Sequence, residues 1–212
     1  MRDAVIVGNA PWRWRPEFVA LVRRAGLVLA ADGGANHLAR VGVRPVAVVG
    51  DMDSIRPGVR RWIGEDRIVA RPDQEFTDLH KTIAYAFDER GAERVTILAA
   101  TAGRLDHALE NLALLGRWAG RGAIELFDEQ HRIVAVSDTF TAAVGAGATV
   151  SLMPLGRCSR VWTRGLRWAL AGEPLDLLGR TSVSNVAEGG PIDVRVEGGG
   201  VLVFLPGAGP DW

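Results

Sequence analysis

The chain contains a single cysteine, Cys158, which rules out an internal disulfide and any cysteine-based zinc cluster and leaves a small core or strand residue as its expected role. Lysine is equally scarce. Lys81 is the only one among 25 basic residues, and the other 24 are arginine. In so arginine-rich a chain, a retained lysine points to a position that needs a compact ammonium instead of a planar fork. Asparagine occurs only at Asn9, Asn36, Asn111 and Asn185. Net charge is missing too, because 25 acidic residues cancel the 25 basic ones. Without a global field, nucleic acid and anionic membranes are not expected partners. No apolar run approaches membrane-spanning length, and the N-terminus opens directly on Asp3-Ala4-Val5-Ile6-Val7-Gly8 without a basic and then apolar leader, so a cytoplasmic protein is expected.

What is present is enough for a full core: 212 residues, 48% of them apolar, fit one large domain or two small ones. The first two-thirds alternate short apolar runs with helical patterns. Strands are expected at Asp3 to Gly8, Leu27 to Ala31, Pro45 to Gly50, Arg67 to Ala70 and Arg94 to Ala100. Helices are expected from Pro16 to Ala25, from His37 to Val41, after an N-cap at Thr77, and from Leu105 to Leu115. The stretch between Ser54 and Arg67 reads as an exposed, arginine-containing segment.

Polar residues collect where these strands stop. Asp32-Gly33-Gly34-Ala35-Asn36 follows the second, a turn whose glycines let backbone approach a ligand and whose helix start offers N–H groups to an anion. Gly50-Asp51-Met52-Asp53-Ser54 follows the third. Two carboxylates one residue apart repel unless a cation lies between them, and an all-oxygen site suits magnesium. Taken alone, Asp-x-Asp is more often a solvated turn. The fourth strand runs into Arg71-Pro72-Asp73-Gln74-Glu75-Phe76-Thr77-Asp78, and Lys81 lies three residues after Asp78, on the same face of the first helical turn. That pair is either a local ion pair or part of a polyphosphate site, and a lysine in a first turn opposes the helix dipole. The fifth strand is followed by Gly103-Arg104-Leu105-Asp106-His107, with Asn111 one turn further on. Ligands of open parallel sheets bind beyond the carboxyl ends of the strands, so this one-sided clustering favours a shared site over scattered polar loops.

From about Thr139 the pattern changes to short alternating segments split by glycine: Thr149 to Met153, Cys158 to Thr163, Gly165 to Leu170, Thr181 to Val186, Ile192 to Val196 and Val201 to Leu205. The expected architecture is therefore an α/β domain over residues 1–138, a mostly parallel sheet flanked by helices, followed by a small all-β antiparallel domain, a sandwich or barrel, over residues 139–212. Gly189-Gly190-Pro191 and Gly198-Gly199-Gly200 read as hairpin loops, and Pro206 to Trp212 as a loosely ordered tail.

Taken in order, Asp32 to Asn36, Gly50 to Ser54, Asp73 to Asp78 with Lys81, Gly103 to His107 with Asn111, Gly165-Leu166-Arg167-Trp168, and Ser182-Val183-Ser184-Asn185 resemble the motifs of the thiamine pyrophosphokinases. Departures are modest: Met52 stands where phenylalanine is common, Arg167 where lysine is common, and the tail after Leu205 differs from that of eukaryotic members. The resemblance implies transfer of a pyrophosphoryl group from ATP to thiamine, with magnesium as cofactor. It also implies that the all-β C-terminal domain is a sandwich and that the protein is a homodimer with active sites at the subunit interface. It assigns Asp51, Asp53 and Asp78 to the metal, with Asp73 as an accessory ligand. Asp32, Gly33 and Asn36, with Lys81, Arg104 and His107, fall to ATP. Gln74, Asp106, Trp168, Ser182, Ser184 and Asn185 fall to thiamine. Asp78, Lys81, Arg104 and Asp106 are the catalytic candidates, and either Asp78 or Asp106 would serve as a base if one is needed. Rival readings are a pyrophosphokinase for another hydroxymethyl heterocycle such as a pterin, a non-catalytic Mg-nucleotide sensor, and a metal-dependent phosphohydrolase.

Overall fold

Six short apolar runs form parallel strands, five of them largely buried and the sixth, Ile68 to Ala70 at the edge of the sheet, partly exposed. A computed structural model describes residues 2–207. The strands are β1 (Asp3–Val7), β2 (Leu27–Ala31), β3 (Ala47–Gly50), β4 (Ile68–Ala70), β5 (Arg94–Leu98) and β6 (Ala123–Phe127), in the order β6-β5-β1-β2-β3-β4. Every pairing is parallel. All five residues of β2 and all four of β3 are buried, as expected for strands covered on both faces. Between them run α1 (Pro16–Arg24), α2 (Gly34–Arg40), α3 (Pro57–Ile63), α4 (Asp78–Ala84) and α5 (Leu105–Trp118). The chain lays β1 to β4 outward in one direction and then returns to pair β5 with the free side of β1. The crevice between diverging loops therefore opens beyond the carboxyl ends of β1 and β5.

Several boundaries differ from expectation, each for a local reason. Helix α2 starts at Gly34 instead of His37, because Gly33 already has helical angles and only glycine fits at position 34, where a Cβ would meet the Val7 carbonyl oxygen. Helix α3 lies in the segment read only as exposed and arginine-containing, to which the sequence pattern assigns no helix. Proline begins it and Gly64 ends it, but its arginines obscure the period and only Ile63 is buried. Helix α4 continues as a π-helical turn over Tyr85–Glu89, which keeps Ala86 and Phe87 in the core. Strand β5 stops at Leu98, two residues early, because Ala99 adopts φ 56° and turns the chain.

The remaining strands are β7 (His131–Val136), β8 (Thr139–Val144), β9 (Thr149–Pro154), β10 (Arg157–Arg164), β11 (Ala171–Asp176), β12 (Ser182–Val186), β13 (Gly190–Glu197) and β14 (Val201–Pro206). They pair antiparallel in the orders β12-β9-β14-β7 and β11-β10-β13-β8. Inward residues of both sets, among them Val150, Leu152, Cys158, Val161, Ile192, Val194, Val201 and Val203, share one buried cluster, so the segment is a β-sandwich and Cys158 is a core residue. The stretch Gly165 to Leu170 is not a strand. Its one bridge joins Leu166 to Ala187, and the pairing partner of β10 is β11 instead. Pro174 hid β11 from the sequence reading, yet proline is tolerated there because β11 is an edge strand. Gly190 and Pro191 also belong to a strand, paired with Val144 and Ala143, at the end of β13 that β10 does not reach. Pro206 is in β14, while 208–212 of the expected tail lie outside the described residues.

Two compact units result. One comprises residues up to Leu114 with Arg121–Asp128, and the other Leu115–Gly120 with the chain from Glu129. Among the described residues, no helix is long and apolar enough to cross a membrane.

Candidate active site

The carboxyl edge of the parallel sheet holds a cavity of about 750 Å3. It is lined from four directions: Gly8 to Pro11 after β1, Ala31 and Asp32 after β2, Asp51, Asp53 and Ser54 after β3, and Gln74 to Leu79 with Lys81 at the start of α4. Ala99, Ala100, Ala102, Gly103, Arg104, His107 and Asn111 complete it from the end of β5 and from α5.

Three carboxylates converge there. Asp32, Asp51 and Asp78 each place an oxygen within 4.8 Å of the others. Asp32, held at φ 40° just past β2, is only 2% exposed. Its Oδ2 accepts the Ser54 backbone N–H at 2.9 Å, while its buried Oδ1 has no hydrogen-bond partner. Burial pushes its proton affinity above the ordinary carboxylate range, with help from Asp78 and Asp53 and against the hydrogen bonds of Ser54. Asp78, the first residue of α4, is shifted up too, by burial first and then by the neighbouring charge of Asp51, with Lys81 opposing. Asp51 goes the other way, because Gln74 donates its Nε2–H to Oδ2 at 3.1 Å and the Asp53 backbone N–H donates to Oδ1 at 3.3 Å.

Room for this arrangement comes from Gly50. A Cβ at that position would lie 2.9 Å from both the Asp32 Cβ and the Asp78 Cγ. An unpartnered buried oxygen, an all-oxygen donor set and repulsion between close anions are together what a hard divalent cation relieves. Asp53 lies on the cavity wall outside this trio, its Oδ1 accepting the Ser54 hydroxyl at 2.7 Å. The exposed Asp73 carboxylate is also outside it, 3.9 Å from the Lys81 ammonium. Sequence reasoning gave Asp32 to the nucleotide. Its place directly after an apolar run, like that of Asp51, was the signal that it shares the acidic cluster.

Lys81 is buried and donates to the Arg71 carbonyl at 2.9 Å, to the Asp73 carbonyl at 2.5 Å and to Asp78 Oδ1 at 3.4 Å. Arg104 lines the cavity and grips Asp106 through two hydrogen bonds, from Nε to Oδ1 at 3.1 Å and from Nη2 to Oδ2 at 2.5 Å. That grip holds the exposed Asp106 carboxyl down at about 2. His107 lines the same wall. Gly33 abuts the side chain of Asn9. Asn36 is committed elsewhere: its Nδ2 donates to the Ser54 carbonyl and its Oδ1 accepts the Arg56 N–H, both at 3.0 Å, so it shapes the loop carrying Ser54. Asn9 and Asn111 are among the lining residues that had no sequence assignment to a ligand. Asn9 follows the first strand in what reads as a plain turn, and Asn111 is buried on α5, donating to the Ala100 carbonyl at 2.7 Å.

In the β-sandwich, Trp168 is 59% exposed with the Arg167 guanidinium 5.6 Å from its ring. The buried Asn185 holds its backbone, accepting the Trp168 N–H at 3.1 Å and donating to the Trp168 carbonyl at 2.8 Å. Asn185 also accepts the Val186 N–H at 2.8 Å and donates weakly to Ser182 Oγ at 3.4 Å. Ser184, at φ 57°, donates its N–H to Ser151 Oγ at 2.9 Å, and its neighbour Val183 is exposed.

Comparison with known proteins agrees with this layout. The family model described as "Thiamin pyrophosphokinase, catalytic domain" matches residues 18–126, and "Thiamin pyrophosphokinase, vitamin B1 binding domain" matches 131–200. The chain is 30% identical over 203 residues to thiamine pyrophosphokinase 1 of Oryza sativa subsp. japonica, covering 82% of this chain and 76% of that one. It is 31% identical over 208 residues to thiamine pyrophosphokinase 2 of Arabidopsis thaliana, with the same coverage of 82% and 76%. In fold it is similar to the crystal structure of thiamine pyrophosphokinase from Bacillus subtilis (TM-score 0.84, 23% identity, 96% and 98% of the two chains). The Candida albicans enzyme structure is also similar in fold (TM-score 0.81, 16% identity, 98% and 89%). With both domain models matched in order along a chain whose acidic cluster sits at the carboxyl edge of the parallel sheet, this protein belongs to the thiamin pyrophosphokinase family.

Proposed function

We infer that the chain transfers a pyrophosphoryl group from ATP to the hydroxyl of thiamine, giving thiamine diphosphate and AMP. The observation that carries this reading is the convergence of Asp32, Asp51 and Asp78 beside Arg104 in a cavity wide enough for a nucleotide, in a chain of this family. The hydroxyl oxygen of thiamine attacks the β-phosphorus, the bond from that phosphorus to the oxygen bridging to the α-phosphate breaks, AMP departs, and the hydroxyl proton leaves to solvent or a carboxylate.

Asp32, Asp51 and Asp78 are the residues that would hold magnesium. Their donor chemistry fits that ion, and the missing Cβ at Gly50 leaves it space. Bound there, the ion supplies positive charge to the phosphate oxygens. Such transfers depend chiefly on positioning and charge neutralisation. Arg104 contributes a permanent cation at the cavity wall, and Asp106 holds that guanidinium in a fixed orientation. The turn from Asp32 to Gly34, with Asn9 and His107, frames the nucleotide. Trp168 offers an aromatic face to the electron-poor rings of thiamine, with Ser182 and Ser184 as polar neighbours.

A homodimer and a cytoplasmic setting complete the proposal. Leu105 and Leu109, one turn apart on α5, are 82% and 66% exposed, an apolar pair that a second subunit would cover. The assay is AMP formation from ATP and magnesium with and without thiamine. Thiamine-dependent AMP is expected. AMP only with a pterin alcohol, phosphate release without acceptor, or nucleotide binding without turnover would each replace this reading.

A further inference from the structure

The Lys81 ammonium has three N–H bonds, and three oxygens take them: the carbonyls of Arg71 and Asp73 and the carboxylate of Asp78. Its side chain is 7% exposed, so water supplies little of its solvation. The two carbonyls belong to the segment that leaves β4, and the next residue of that segment, Gln74, donates to the Pro72 carbonyl at 3.2 Å and to Asp51 Oδ2 at 3.1 Å. One ammonium therefore governs two of the three converging carboxylates, Asp78 directly and Asp51 through the 71–74 segment and Gln74. Arginine is a poor substitute, since a planar fork cannot aim three bonds at oxygens converging from a helix turn and a loop. That need accounts for the one lysine in a chain with 24 arginines.

We propose that Lys81 is a positioning residue that assembles the carboxylate cradle, its hydrogen-bonding capacity spent on protein oxygens, and that neutralising the transferred group falls to Arg104. The inference rests on reading Asp32, Asp51 and Asp78 as the cation site and not on the identity of the acceptor.

The two roles for Lys81 predict opposite signs in a measurement without substrates. Removing a positive charge beside Asp78 makes the cradle more negative, so if Lys81 acts only as a charge toward phosphate, Lys81→Met binds magnesium equally well or more tightly. If it assembles the cradle, Lys81→Met binds magnesium at least about tenfold more weakly, the scale seen when a residue orienting a metal ligand is removed. The probe is magnesium chloride alone, read as the midpoint of its effect on Tm. Turnover should then recover substantially at high magnesium, with Lys81→Arg failing to restore the wild-type midpoint. Gln74→Ala removes the outer link from an exposed loop without threatening the core, and its midpoint should move the same way. Unchanged or tightened magnesium midpoints in Lys81→Met or Gln74→Ala, or a wild type whose Tm ignores magnesium, would overturn the proposal. Failure of thiamine to elicit AMP from the wild type would instead remove the functional reading and leave this one standing.

Discussion

A Cβ on residue 50 would lie 2.9 Å from Cγ of Asp78, closer than real Cβ contacts come, so Gly50 and Asp78 occupy space that no larger pair could share. Gly50 also has φ 152°, a conformation that costs side-chain-bearing residues on the order of 1–3 kcal/mol. Gly50→Ala is therefore expected to lower stability by about that amount in chemical denaturation. It should also abolish magnesium-dependent turnover by displacing Asp32 or Asp78. A variant with normal magnesium response would show that the cradle does not depend on this gap.

Asp32→Asn separates charge from shape. An acid whose proton affinity is raised by folding contributes stability at low pH that is lost as pH climbs through its folded value. In metal-free protein at neutral pH, replacing Asp32 with the neutral isostere should raise Tm by a few degrees, on the order of 1 kcal/mol of relieved repulsion and desolvation. The amide oxygen still accepts the Ser54 N–H. The advantage should shrink as pH falls, because burial raises the proton affinity of the wild-type carboxyl and lets it take up its proton earlier than an ordinary aspartate would. Turnover should drop about a hundredfold or more, and the stabilisation by magnesium should weaken with it.

Asp106 is held at about 2 by Arg104, so it stays ionised at every pH where the protein works. A carboxylate of such low proton affinity is a weak general base. Asp106→Asn should lower turnover without changing the shape of the pH–rate profile between about pH 5 and 9. Loss of an acid limb in the variant would restore Asp106 as the base. Tm should barely move, because the ion pair is exposed on both sides.

Trp168→Ala should raise the KM for thiamine about 10- to 100-fold, the scale of losing one aromatic stacking contact, while the KM for ATP stays near wild type. With 59% of the residue exposed, the effect on Tm should be small. Asn185→Ala should weaken thiamine binding indirectly, by freeing the Trp168 backbone, and should also lower stability because Asn185 is buried and fully hydrogen-bonded. Equal KM values for thiamine in wild type and Trp168→Ala would remove the ring from the site.

The sequence by itself determined the two classes of architecture, since continuous apolar runs separated by helical patterns point to a covered parallel sheet, and alternating runs split by glycine point to an antiparallel β-domain, a sandwich or barrel, which the fold resolves as a sandwich. It also determined that the polar residues gather where strands stop. Tertiary structure decided which of them meet. Asp51 and Asp53 are neighbours in the chain, yet Asp51 joins Asp32 and Asp78 because β2 lies beside β3 and α4 begins over their ends, whereas Asp53 turns to Ser54. Helix α3 and strand β11 escaped the reading because arginines and a proline masked patterns that packing tolerates at a surface and at a sheet edge. Lys81 stood out by its rarity, but only the fold revealed where its three hydrogen bonds go. Periodicity records which side of an element is buried. Which side chains converge depends on strand order, and that is set by contacts between residues far apart in the chain.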